Sequence, residues 1–216
     1  VIAACAPVAT GHDDGDAGEG EPYVGQPYAA AVVSFTPGIG AGHGEDKLPD
    51  VVLGPPDGLG ATSGNVSDVL SLGQGGSIVL ELGLDVVDGE GADLLLFENA
   101  FLFGSEVFAE AGIVSLSLDG DEWSTFDCDP TAAAPNGCAG YAPVYPADDA
   151  TDPGEVGGDA FDLADVGLER ARFVVEHEVA GERHLALPDL LAHRVELAGR
   201  AVPCLKGTIT IRGAGT

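Results

Sequence analysis

The chain has no Met, one Trp and only eight basic residues, and each scarcity narrows its chemistry. Nucleic acid phosphates and anionic lipid headgroups are bound through clustered Lys and Arg. Of 36 acids and eight bases, six acids and seven bases follow Leu168, which leaves thirty acids against Lys47 alone before it. That field excludes nucleic acid as a partner and makes cations the natural one; the competing reading is a solubility or high-salt adaptation without a site. No apolar run approaches the roughly 20 residues of a membrane-spanning helix. Aromatics make up 6% of the chain, whereas 33 Gly and 14 Pro suit many short strands joined by tight turns. With 216 residues and 45% hydrophobic content, one substantial core can form.

Enzyme signatures are also missing. His177-Glu178 begins like H-E-x-x-H, but Gly181 stands where the second zinc ligand belongs. Gly38, Gly40, Gly42 and Gly44 form a Gly-rich loop without the Lys of a phosphate cradle, and His43 is isolated within it. No G-x-S-x-G elbow occurs. These absences predict a protein that binds rather than catalyses; a carboxylate-based glycoside hydrolase is the remaining enzymatic alternative.

What is present is period-two alternation. Ile78, Leu80 and Leu82 share one face of a strand over Ser77 to Leu82, and Val114, Leu116 and Leu118 share one over Ile113 to Leu118. Asp93 to Phe97 is apolar enough for a central strand covered on both faces, and Ala29 to Phe35 and Ala171 to Val175 are further strands. Asp57-Gly58, Asp88-Gly89 and Asp119-Gly120 supply residues suited to tight hairpin turns. An all-β, antiparallel sandwich is expected.

The opening residues, Val1-Ile2-Ala3-Ala4-Cys5, read as the tail of a longer signal segment and resemble the lipobox of bacterial lipoproteins, which implies lipidation of Cys5. A free or disulfide-bonded Cys5 is the alternative. The acidic stretch that follows, including Asp13 to Glu21, has no hydrophobic periodicity and reads as a solvated tether. Cys128 and Cys138 bracket a turn-rich stretch and are expected to close a surface loop as a disulfide, whereas Cys204 has no obvious partner in the sequence.

Ser117-Leu118-Asp119-Gly120-Asp121-Glu122-Trp123 has the form S-x-D-G-x-x-W and resembles the hairpin of discoidin-like sandwiches and Asp-box turns. In those turns the Asp caps the turn and the Trp packs beneath it. Four further blocks, in order, resemble bacterial cell-surface proteins with a discoidin-like, or galactose-binding-like, jelly roll. They are Pro49 to Pro56, Ser71 to Ile78, Asp88 to Asp93 continuing through Phe97-Glu98-Asn99, and Gly157 to Leu163. The resemblance implies a jelly-roll β-sandwich and an extracytoplasmic binding module on the cell surface, its ligand a glycan or a surface protein. A structural envelope or matrix protein without a discrete ligand is the alternative. The acidic G-F-D-L-D-A-V strand that usually closes the family is missing after Val175. The organisation expected is a tether at 1–28, a sandwich at 29–180 and an atypical segment at 181–216, the last read as closing strands or as a shifted reading frame.

Several acids stand where turns meet strands. Asp88, Glu90 and Asp93 form one group, Asp159 and Asp162 another, and Glu98 and Asn99 follow an apolar strand. Calcium takes six to eight oxygens, and Gly-rich turns let backbone carbonyls converge beside carboxylates. These seven residues are therefore the expected calcium ligands, with Asp88 and Asp93 foremost; ordinary Asp-Gly turn chemistry is the alternative.

Overall fold

A computed structural model describes residues 2–4, 23–65, 67–103, 106–132, 137–148, 150–186 and 204–206. It shows two mostly antiparallel sheets in a β-sandwich with little helix. The strands are β1 (Ile2–Ala4), β2 (Ala29–Thr36), β3 (Ser77–Val87), β4 (Leu94–Phe97), β5 (Phe101–Phe103), β6 (Glu106–Ser117), β7 (Ser124–Thr125), β8 (Asp159–Phe161), β9 (Arg170–Ala186) and β10 (Cys204–Lys206). The larger sheet runs in the order β2-β3-β9-β6-β5, with β7 added on β6; the smaller runs β1-β10-β4-β8. All pairings are antiparallel except that of β10 with β4.

Alternation builds the core. Ile78, Leu80 and Leu82 of β3 are buried while Val79 and Glu81 between them are partly exposed. In register across the sheet, Leu80 meets Val174 of β9, which meets Leu116 of β6, and all three are fully buried. Cross-strand partners share a face, so these residues line one apolar surface. The four residues of β4 are all buried, as is Phe161 of β8, and they join that surface in a single cluster. Each large side chain removed from water contributes about 1.5 to 3 kcal/mol.

Two expectations are corrected. Leu118 does not share the core face with Val114 and Leu116, because β6 ends at Ser117 and Leu118 is 52% exposed. The Ser117 hydroxyl accepts from the Gly120 amide at 2.8 Å and bends the chain away from the sheet. Of the three Asp-Gly pairs, only Asp119-Gly120 makes a tight turn between paired neighbours, β6 and β7; Asp57-Gly58 lies within the long connection from β2 to β3, and Asp88-Gly89 links β3 to β4 in the other sheet. The Asp119 turn has the expected chemistry: its carboxylate accepts from the Asp121 and Glu122 amides at 2.9 and 3.0 Å, and the Trp123 indole donates to the Gly120 carbonyl at 3.1 Å. Those amides hold the Asp119 carboxyl below its ordinary range.

The Cys128–Cys138 disulfide is present, its Cα atoms 4.7 Å apart. Cys5 and most of the acidic tether lie outside the described residues. Strand β9 continues past residue 180 to Ala186, whereas 187–203 and 207–216 lie outside the described residues. No helix among the described residues is long and apolar enough to cross a membrane.

Candidate metal centre

Three carboxylates from separate segments converge at one end of the sandwich. Asp88 follows β3, Asp93 precedes β4, and Asp162 caps the 3-10 turn Leu163–Val166 behind β8. One oxygen from each lies within 4.8 Å of the others. Asp93 is the buried anchor: its Oδ1 accepts from the Gly89 amide at 2.9 Å and its Oδ2 from the Leu163 amide at 3.0 Å. One side chain thus ties the loop after β3 to the turn after β8. Asp162 Oδ1 accepts from the Ala164 amide at 2.9 Å, which fixes its carboxylate at the start of the turn.

The electrostatics favour a cation. Burial pushes the Asp93 carboxyl above its ordinary range; the Leu163 and Gly89 amides pull it back, while Asp162 and Asp88 push it further up. Three bases have other partners: Arg170 and Arg172 pair with Asp85, Arg172 also with Glu81, and Lys47 donates to the Ser67 carbonyl. Calcium holds its oxygens at about 2.3 to 2.6 Å, so any two ligands stand within roughly 5 Å of each other. The trio satisfies that limit. Magnesium, at about 2.0 to 2.1 Å, would need the oxygens to draw closer if they lay on opposite sides of it.

The other four expected ligands do not join the trio. Glu90 is exposed in the loop between β3 and β4. Glu98 and Asn99 fall at the far end of β4, because an extended strand advances about 3.3 Å per residue and carries them away from Asp93. Asn99 instead forms a reciprocal clasp, its Nδ2 donating to the Asn65 carbonyl at 2.7 Å and its Oδ1 accepting from the Asn65 amide at 2.8 Å. Asp159 is buried, its Oδ2 accepting from Gly140 and Tyr141 at 2.8 and 3.1 Å and its Oδ1 from Ala142 at 3.1 Å. Burial nonetheless pushes its carboxyl up to about 7, against the pull of those three amides.

Beside Glu98 lies a further buried acid outside the seven expected ligands. Glu176, in β9, lies within hydrogen-bond reach of it, and burial followed by the Glu98 charge drives the Glu176 carboxyl well above its ordinary range. The signal was available: Glu176 falls two residues after Val174, on the inward parity of an apolar strand.

Beside Asp88 lies an open groove of about 750 Å³ lined by Val87, Asp88, Leu118, Gly167, Leu168, Glu169 and Arg170. Val87 and Leu118 both present exposed apolar surface there. Fold and site together define a two-sheet, antiparallel β-sandwich domain with a trio of carboxylates able to hold a divalent ion. Comparison with known proteins returns no matching family model, no matching curated protein and no matching solved structure.

Proposed function

We propose that the protein is an extracytoplasmic, calcium-stabilised binding module of the discoidin-like jelly-roll type, displayed at the cell surface, that takes a glycan or a loop of another surface protein in the groove beside Asp88. The observation that carries this reading is the convergence of Asp88, Asp93 and Asp162, of which Asp88 also lines that groove. A cation there would neutralise the trio and fix the loop after β3 against the turn after β8, so that the groove is formed before ligand arrives. The lining suits a sugar: Val87, Leu118 and Leu168 offer apolar surface, while Asp88, Glu169 and Arg170 offer hydrogen bonds. The Cys128–Cys138 disulfide agrees with an oxidising compartment.

Thermal unfolding in calcium, in magnesium and in chelator at matched ionic strength tests the metal role. A ligand bound only by the folded state at 100 times its Kd adds about 2.7 kcal/mol. Absence of any calcium-specific gain would sink it. Glycan-array binding in calcium, compared with Arg170→Ala, tests the groove; calcium-dependent self-assembly without glycan binding would favour a structural envelope protein, and turnover of an oligosaccharide would favour a hydrolase.

A further inference from the structure

The inner face of the large sheet carries one acid that hydrophobic packing does not explain. Glu176 pairs in register with Ile78 of β3 and Val114 of β6, both fully buried, so its side chain enters the sandwich with theirs. It is 2% exposed, and its Oε2 has no hydrogen-bond partner among the described residues. The room for it comes from a missing side chain: a Cβ at Gly112 on β6 would overlap Glu176 Oε1. Its carboxyl neighbour is Glu98, itself 5% exposed, which follows β4 in the opposite sheet.

A buried carboxylate without full hydrogen bonding costs several kcal/mol, and two in contact repel unless a shared proton or a cation stands between them. Glu98 also lines a recess of about 30 Å³ together with Asp57, Ser63, Asn65 and Asp68. A space of that size admits one ion or one or two waters. Asp57 and Ser63 are exposed, so the recess reaches solvent.

We propose that Glu98 and Glu176 hold a second divalent cation inside the sandwich, of the hard, oxygen-seeking class to which calcium belongs, with the recess as its route from solvent. The donors are carboxylates, without the thiolate or imidazole that zinc sites favour. The site is separate from Asp88, Asp93 and Asp162, since β4 lies between Asp93 and Glu98. Bound there, the ion joins β9 of one sheet to the end of β4 in the other. Glu176 Oε2 gains a partner there, where no described residue supplies one.

The test is metal content of the full chain, stripped with chelator and then dialysed to equilibrium against calcium. The wild type is expected to bind two ions per chain, Glu176→Gln one, Glu98→Gln one, and the double variant Asp88→Asn with Asp162→Asn also one. Two ions retained in either folded glutamine variant overturn the proposal. A wild-type ratio of one that the double variant abolishes also overturns it and leaves the Asp88 centre standing. A ratio of one that survives the double variant but not Glu98→Gln supports the interior site and removes the other. Should Glu176→Gln fail to fold, the ion kept or lost by the double variant still decides.

Discussion

Replacing Asp159 with Asn should change stability with a sign that depends on pH. Three buried amides, of Gly140, Tyr141 and Ala142, point at this carboxyl. With the Asn carbonyl in the Oδ2 place, the Gly140 and Tyr141 bonds survive, but the NH2 group then faces the Ala142 amide, donor against donor. Leaving one buried amide unsatisfied costs about 1 to 3 kcal/mol. Against this stands the charge. Burial pushes the Asp159 carboxyl from 3.8 to about 7, and each unit is worth about 1.4 kcal/mol, so ionising it in the folded state costs about 4 kcal/mol.

Because the folded value is raised, the contribution of Asp159 is fully present below about pH 4 and is lost as the pH climbs to about 7. Asn carries no such cost. Asp159→Asn should therefore be less stable than the wild type by about 1 to 3 kcal/mol at pH 4.5, and the deficit should shrink by about 1.4 kcal/mol per unit towards pH 7, vanishing or reversing there. Urea unfolding of both proteins at pH 4.5, 6 and 8, in chelator and at fixed ionic strength, measures the difference, and the charge repulsion common to both cancels. A deficit that grows with pH would show that the three amides outweigh burial and would refute the reasoning.

Gly112→Ala should destabilise by about 1 to 3 kcal/mol, since its methyl overlaps the Glu176 carboxyl; denaturation indistinguishable from wild type would show that Glu176 moves freely. Leu96→Ala empties a fully buried site of β4 and should cost about 2 to 5 kcal/mol in a urea midpoint assay. Cys128→Ser with Cys138→Ser opens a loop whose ends are separated by 10 residues and should cost about 3 kcal/mol, with reduction of the wild type lowering Tm to match. Arg172→Ala removes ion pairs at 2.9 and 3.3 Å but on a half-exposed surface, so its charge contribution should stay below about 1 kcal/mol and fall with added salt.

Where local pattern determines structure, the sequence was readable. The inward face of β3 follows from alternation at Ile78, Leu80 and Leu82, and complete burial of β4 follows from four consecutive apolar residues. Asp88, Asp93 and Asp162 were visible as acids at strand ends and turns, and the structure brings them together. Glu98, Asn99 and Asp159 share that appearance, yet the fold places them apart from the trio. Strand length carries Glu98 and Asn99 to the far end of β4, while the amides of 140–142, distant in sequence, claim the Asp159 oxygens. Turn chemistry was equally blind to pairing: Asp88-Gly89 and Asp119-Gly120 look alike, but only the second folds its two strands onto each other.

Strand β9 sets the order in which the protein can be made. It separates β3 from β6 in the large sheet and pairs with both, yet it begins only at Arg170, more than fifty residues after β6 ends at Ser117. Until that strand arrives, β3 and β6 each keep an unpaired edge and an apolar face, the combination that invites pairing with another chain. Contacts of such long sequence separation also slow folding. A nascent chain emerging from its amino end therefore remains without a finished large sheet until nearly all of residues 1–186 are free. The dense negative charge of its first 168 residues holds neighbouring copies apart in the meantime.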